Sequence, residues 1–407
     1  MNVVVVGAQW GDEGKGKIVD YLCEDAGLVV RYSGGANAGH TVVWKGETYK
    51  LHLVPSGVIS PGTDVVLGSG MVIDPESLFD ELDTLTNQGV DWKGRVFISD
   101  RAHLVLPEHK STDKEMDAKR RNPIGTTGRG IGVAYAQKSN RDGIRVADIC
   151  EDQFIKTLRR EEHDFLSPYI PRLREMSVNL RAFMNEREEV NVLYEGAQGV
   201  LLDIDIGTYP YVSSGCSAAS GAAVGGAIGP RDIDEVLGVF KAYTTRVGNG
   251  PFPSEFTEER DGDLGDVIRE LGHEYGVTTG RPRRTGYLDL VALAYACRSN
   301  SIDSLVMTHI DVYDDMDEIK ACVAYSIDGE ETTDFPSSAL KLERAEPVLK
   351  SFPGWKQSLS DAKSYDELPE AAKNYIEFIE EFTGSKVGII SVGPDREKTF
   401  IRSPVWS

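Results

Sequence analysis

Met1-Asn2-Val3-Val4-Val5-Val6-Gly7-Ala8-Gln9-Trp10-Gly11-Asp12-Glu13-Gly14-Lys15-Gly16-Lys17 opens the chain and decides how the rest is read. Its first seven residues have the uninterrupted apolar character of a strand buried on both faces of a parallel sheet. A glycine-rich loop follows, then an apolar-periodic run through Tyr21 and Leu22 that predicts a helix. Strand, loop and helix together turn backbone N–H groups and a helix N-terminus toward a phosphate. Gly11 to Lys17 fits G-x-x-x-x-G-K, but Ile18 stands where Ser or Thr would hold Mg²⁺. Asp12 lies inside the loop instead. A carboxylate among phosphates is costly unless it binds a metal or takes a proton, and Asp12 is read as doing one or both. The plainer alternative is a tight turn with two solvated lysines.

The totals narrow the class. The chain has 407 residues, 40% apolar and 27% charged, the profile of an ordinary globular protein. A formal charge of −21 argues against nucleic-acid binding and against an anionic membrane surface. A phosphorylated small molecule stays possible, because its basic partners can be local. Five scattered cysteines without metal-ligand spacing predict free thiols and a reducing cytoplasm. The first strand is too short, and lacks the basic flank, of a signal peptide. No apolar run approaches the roughly 20 residues of a membrane span.

Working outward from the opening stretch, Leu28 to Tyr32 is a second apolar strand, leading into Ser33-Gly34-Gly35-Ala36-Asn37-Ala38-Gly39-His40-Thr41. Val65 to Gly68 and Val96 to Ser99 are further strands. Asp74-Pro75 starts a helix, as N-cap and first helical residue, that stops at Gly89. The charges of residues 108–121 read as a solvated helix face. Ile124-Gly125-Thr126-Thr127-Gly128-Arg129-Gly130-Ile131-Gly132 is either a second anion loop or a linker. Residues 151–188 carry Phe154, Leu158, Phe165 and Leu173 at helical spacing, a helical insertion without evident chemistry. Val192 to Glu195 is a strand ending in Gly196-Ala197-Gln198-Gly199, and residues 203–230 form a long loop of small residues. Glu235 to Tyr243 is a strand. Arg281, Arg283 and Arg284 fall within four positions of an acidic chain and read as a carboxylate or phosphate clamp. Leu288 to Cys297 is an apolar helix, Ser304 to Asp311 a strand ending in an acid, and Tyr365 to Phe382 an amphipathic helix closing at Gly384. Val387 to Ser391 is the last buried strand. A carboxylate at a late strand's end matches the N1–H and amine of guanine; Asp311 is the candidate, with Ser391 and Gly393 beside it.

This alternation predicts an α/β fold: a large, mostly parallel central sheet with flanking helices, a P-loop-like phosphate loop, and helical and loop insertions. Ligands are expected outside the carboxyl ends of the strands. Residues 1–407 are expected to form one domain, with the helical insertion at about 151–188.

The ordered set of motifs resembles the adenylosuccinate synthetase family over nearly the whole chain. The carrying segments are Gln9 to Lys17, Asn37 to Thr41, Ile124 to Gly132, Glu195 to Gly199, Gly207-Thr208-Tyr209-Pro210, Thr245 to Pro253, Thr278-Thr279-Gly280-Arg281, and Gly393-Pro394-Asp395-Arg396. The resemblance implies a GTP-dependent ligase that joins IMP to L-aspartate through 6-phosphoryl-IMP, giving adenylosuccinate, GDP and phosphate. That is the first committed step from IMP to AMP. By residue-to-residue correspondence, Asp12 is the base that removes the N1 proton of IMP, and His40 stabilises charge at the departing β-phosphate. Gly11, Asp12, Glu13, Gly14, Lys15, Gly16 and Lys17, with Gly39, His40 and Thr41, hold the GTP phosphates. His309, Asp311, Ser391 and Gly393 hold guanine. Asp12, Lys15, Asn37, Ala38, Gly39, His40, Thr127, Gln198, Ser213, Val247 and Arg281 face IMP. Arg141 matches an arginine that reaches the IMP of a neighbouring subunit, which implies a homodimer. Thr278, Thr279, Gly280, Arg281 and Arg283 match the mobile aspartate clamp. Asp12 and the Gly39 carbonyl match the ligands of one Mg²⁺ per active site.

Some positions depart from the family's pattern. His309 stands where a lysine often stacks on guanine, an exchange expected to make base contacts weaker or pH-sensitive. Ser213 replaces a threonine, Gly215 an asparagine, and Pro282 separates the clamp arginines. The segment from Arg145 to Val192 is shorter than in many relatives. Two other readings are kept: a GTP-binding regulatory switch, which the presence of Asp12, His40 and the arginines argues against, and a sister synthetase acting on another purine nucleotide, which Asp12 argues against.

Overall fold

Val3, Val4, Val5 and Val6 expose no surface, and the strand they form lies near the middle of a ten-stranded sheet. The computed structural model describes residues 1–121, 123–276 and 280–406. The sheet's strands, in chain order, are β1 (Asn2–Gly7), β2 (Leu28–Arg31), β3 (Asp64–Leu67), β4 (Val96–Ser99), β5 (Ser177–Val178), β6 (Val192–Glu195), β7 (Glu235–Lys241), β8 (Ser304–Thr308), β9 (Lys386–Ser391) and β10 (Thr399–Ile401). Across the sheet they run β10-β9-β8-β7-β1-β6-β2-β3-β4-β5. All neighbours are parallel except β9 and β10. The expected α/β architecture is borne out.

Alternate strand residues feed two cores, as the period-two pleat requires. Val4, Val30, Tyr194 and Leu305 face one, with helices α5 (Leu290–Asn300) and α6 (Glu370–Thr383). Val3, Val5, Leu193 and Val306 face the other, with α1 (Lys15–Leu22) and α2 (Pro75–Asn87). Between α2 and α5 lie α3 (Pro107–Lys119) and α4 (Ile131–Asn140).

Several local expectations need revision. Asp74 does precede α2, with Pro75 as its first residue, but its carboxylate caps no backbone N–H; it pairs with Lys110 Nζ at 2.8 Å. The strand expected over Ser304 to Asp311 stops at Thr308, because His309 turns the chain with φ +58°. The helix expected from Tyr365 begins at Glu370, after a 3-10 turn. Residues 151–188 hold several short helices and also β5, which pairs with β4 as an edge of the main sheet. Leu166, Leu173 and Met176 lie fully within the α1–α2 core. Loop 124–130 is pinned to α3: Asp117 accepts from Ile124 N and Thr126 N, and Asp113 from Gly130 N and Thr126 Oγ1, all at 3.0–3.1 Å. It is therefore not a free linker. A second sheet, built around Glu318–Ile327 paired with Glu346–Pro353, answers to no expectation.

The carboxyl ends of β9, β8, β7, β1, β6 and β2 stand side by side. The phosphate-loop, His40, Gln198 and Asp311 candidates follow the ends of β1, β2, β6 and β8, and Ser391 ends β9.

Candidate active site

Between β1 and α1 the chain turns through Gly11, Asp12 and Gly14, all with positive φ. Glu13 organises this turn from inside. It is fully buried, and its Oε1 accepts from Gln9 N at 3.1 Å and Gly11 N at 2.8 Å. Its Oε2 takes Lys15 Nζ at 2.6 Å. A Cβ on Gly7 would meet a Glu13 oxygen at 2.2 Å, so glycine at the end of β1 makes room for the carboxylate. The side chains of Glu13 and Lys15 therefore brace the loop as a buried pair. Trp10 Nε1 and Arg246 Nη2 both donate to Thr208 Oγ1 at 3.2 Å, fixing the far side of the turn.

Asp12 points the other way and is partly exposed. Its Oδ2 lies 2.9 Å from Arg283 Nε, an ion pair without hydrogen-bond alignment. Arg283 Nη1 donates to Glu274 Oε2 at 2.7 Å. Glu274 is fully buried, and its Oε1 accepts from Lys241 Nζ at 2.5 Å and from the Tyr243 hydroxyl. Burial alone would raise the Glu274 pKa, but Lys241 and the donors around it bring it down to about 2.

His40 begins a two-stranded hairpin, His40–Trp44 with Glu47–Leu51, that leaves the end of β2 and packs on α1. A Cβ on Gly16 would come 2.9 Å from His40 Cβ, so only glycine admits this approach. His40 Nδ1 is 2.6 Å from Glu195 Oε1. Glu195 ends β6 with no exposed surface and also accepts from Ser56 N at 2.8 Å and Ser56 Oγ at 3.0 Å. Burial pushes its pKa up, but His40 and the buried Arg31 outweigh it, so the net shift is downward. The carboxylate holds the imidazole with Nε2 turned away from it, as second partners orient histidines in other sites.

On the β8–β9 side, Lys17 Nζ donates to Ser391 Oγ at 2.7 Å and to the Gly393 carbonyl at 2.6 Å. Desolvation lowers the Lys17 pKa to about 8, against the pull of Asp311 and Asp395. Asp311 follows β8 on a 3-10 turn, and burial raises its pKa. His309 Nδ1 is 3.4 Å from the Tyr243 hydroxyl, and burial drives its pKa to about 3. Burial thus favours the neutral imidazole at His309.

On the β6–β2 side, the Asn37 side chain accepts from Gly35 N at 3.2 Å, and the Ala38 carbonyl lies 2.9 Å from His52 Nδ1. Gln198 has φ +57°, and its Nε2 is buried without a partner, as is Ser213 Oγ. Orphaned donors of this kind await a ligand or water. Gly39 and Thr41 are exposed at the hairpin, Thr127 on the pinned loop and Val247 after Arg246. Arg141 is an exposed, positive-φ residue closing α4. Gly280 and Arg281 are exposed, whereas Thr278 and Thr279 lie outside the described residues. Arg284 is no clamp: it forks onto Glu255 at 2.5–2.7 Å and donates to the Gly250 carbonyl.

The sequence reading gave no role to Glu195, Glu274, Lys241 or Arg31. Glu195 and Lys241 carried a signal, a charge at the end of an otherwise apolar strand. Glu274 carried none.

No described cluster of three His, Cys, Asp or Glu side chains could enclose a metal. Mg²⁺ does not need one: it takes one or two carboxylates and completes its shell with phosphate oxygens and water. The outward carboxylate of Asp12 fits that donor set.

Similarity to known proteins gives the family. A family sequence model described as adenylosuccinate synthetase matches residues 4–400. The adenylosuccinate synthetase of Picosynechococcus sp. is 48% identical, over 98% of this chain and 95% of its own. That of Acetivibrio thermocellus is 45% identical, over 98% and 99%. Among solved structures, the fully ligated adenylosuccinate synthetase from Plasmodium falciparum superposes with a TM-score of 0.91 at 39% identity, covering 98% of this chain and 99% of that one. A cyanophage S-2L succinoaminodeoxyadenylate synthetase bound to dGMP and dATP superposes at 0.64 with 20% identity, which speaks for the fold alone.

Proposed function

The chain belongs to the adenylosuccinate synthetase family and joins IMP to L-aspartate at the expense of GTP, and we propose that Asp12 and His40 carry the chemistry. The observation behind this is one of placement. Asp12 turns outward from the phosphate loop, while His40, oriented by Glu195, packs on the helix that the same loop begins.

In this reading Asp12 takes the N1 proton of IMP, and O6 attacks the γ-phosphate of GTP. His40 Nε2 donates toward the departing β-phosphate. Phosphorylation of O6 creates a good leaving group, and the aspartate amine displaces it at C6. Positioning and charge neutralisation do most of the work in phosphoryl transfer. The backbone N–H groups of Gly11 to Lys17 and the start of α1 supply both. Asp12 and the Gly39 carbonyl would hold Mg²⁺, whose contribution is to neutralise charge on the phosphates. Asp311, Ser391 and Gly393 take guanine. Asn37, Gln198 and Ser213 take IMP, which would satisfy the orphaned Gln198 Nε2 and Ser213 Oγ. Arg281 and Arg283 grip the aspartate carboxylates.

A homodimer is part of the proposal. The exposed Arg141 would complete a neighbouring subunit's IMP site. No described helix is long and apolar enough to cross a membrane, and the five cysteines are free, which suits the cytoplasm.

The test is a product assay with GTP, IMP, L-aspartate and Mg²⁺, repeated with ATP for GTP and with dGMP for IMP. Adenylosuccinate formed only from GTP and IMP is the expected result. GTP hydrolysis without adenylosuccinate would point to a switch, and product from dGMP to a sister synthetase.

A further inference from the structure

Beneath the phosphate loop, four charged side chains alternate in sign: Asp12, Arg283, Glu274 and Lys241. The last two are essentially without exposed surface. Such a pair is expensive to bury, and apolar residues of similar size would often stabilise a core as well or better. Its geometry indicates what it does here.

Glu274 divides its two oxygens. Oε1 faces inward to Lys241 Nζ at 2.5 Å and to the Tyr243 hydroxyl, while Oε2 accepts from Arg283 Nη1 at 2.7 Å. Lys241 is itself anchored by Thr245 Oγ1 at 3.0 Å, and its backbone N–H donates to Gln9 Oε1 at 3.1 Å. It ends the central strand β7, so the position of Glu274 is referred to the rigid sheet. The backbone is tied as well: Arg283 N donates to the Glu274 carbonyl at 2.8 Å. Arg283 is thus fixed by main chain and side chain together. Its Nε meets Asp12 at 2.9 Å but out of hydrogen-bond alignment. A guanidinium held this way keeps its Nε donor uncommitted for an incoming carboxylate.

We propose that Glu274, backed by Lys241, is a positioning residue that presents Arg283 to the carboxylate of the amino-acid substrate and keeps it from closing fully onto Asp12. This rests on the reading of Arg283 as an aspartate clamp. Glu274 touches no substrate. Without it, Arg283 would keep one anionic neighbour, Asp12, and would turn its fork there.

The experiment compares Glu274→Gln with the paired variant Lys241→Met/Glu274→Met, measuring melting temperature and separate KM values for aspartate, GTP and IMP. Glu274→Gln is expected to raise the aspartate KM at least about tenfold, as loss of a charge-assisted contact does, with the GTP and IMP values within about threefold. The paired variant removes both buried charges, so it should melt close to wild type and still need more aspartate. A paired variant that folds and shows the wild-type aspartate KM would overturn the proposal. So would a folded variant in which all three KM values rise together. Wild-type protein that makes no adenylosuccinate would instead overturn the underlying reading of the site, and the proposal with it.

Discussion

His40 Nδ1 lies 2.6 Å from Glu195 Oε1, although the two residues come from different strand ends and are separated by most of the first half of the chain. Glu195 is fully buried, so the pair is shielded from solvent on the carboxylate side. Glu195→Gln should leave the fold intact and weaken the orientation of the ring. The expected outcome is a fall in kcat of about 10- to 100-fold with a much smaller change in the KM for GTP. Steady-state kinetics with GTP varied at saturating IMP and aspartate would check it; an unchanged kcat would remove Glu195 from the catalytic arrangement.

The phosphate loop is braced by Glu13 and Lys15, not by Asp12. Asp12→Asn should therefore abolish ligation, by about a thousandfold or more, while GTP affinity changes only a few-fold. Calorimetric GTP binding alongside the product assay separates the two. Substantial residual turnover would mean that another group removes the IMP proton.

Lys17 bridges Ser391 and Gly393 with a pKa lowered by desolvation to about 8. A cation that helps bind GTP is lost as pH rises through that value. The kcat/KM for GTP, which reports the free enzyme, should decline above about pH 8. Lys17→Met should lower kcat/KM throughout and erase that limb. A pH profile identical in shape for both proteins would contradict it.

His309 links titration to stability. Its native pKa is about 3, against 6.5 for the ordinary group. Between those values the unfolded chain binds a proton that the native protein does not. The His309 contribution is therefore complete above pH 6.5 and shrinks as pH falls toward 3. At pH 5 it should amount to about 2 kcal/mol of lost stability. Asp20 and Asp289, raised by burial to about 6, act in the opposite sense. Comparing urea midpoints of wild type and His309→Gln at pH 7 and pH 5 isolates the histidine. The variant should lose less on acidification.

The sequence by itself determined the local devices. Val3 to Val6 could only be a buried strand, and Gly11 to Lys17 only a tight turn into a helix, because chain connectivity and side-chain size act over a few residues. The alternation of elements then implied a parallel sheet with its ligands at one edge, and the ordered motifs pointed to the family. Tertiary structure decided which charges meet. Six strand ends, scattered from Gly7 to Ser391 in the chain, lie side by side in the order β9-β8-β7-β1-β6-β2. That order places Glu195 under His40, Glu274 between Lys241 and Arg283, and Lys17 against Ser391. It also turned Arg284 away from its neighbouring arginines and onto Glu255. Pairing of buried charges is governed by distance through a low-dielectric interior, and distance there follows strand order across the sheet, not spacing along the chain.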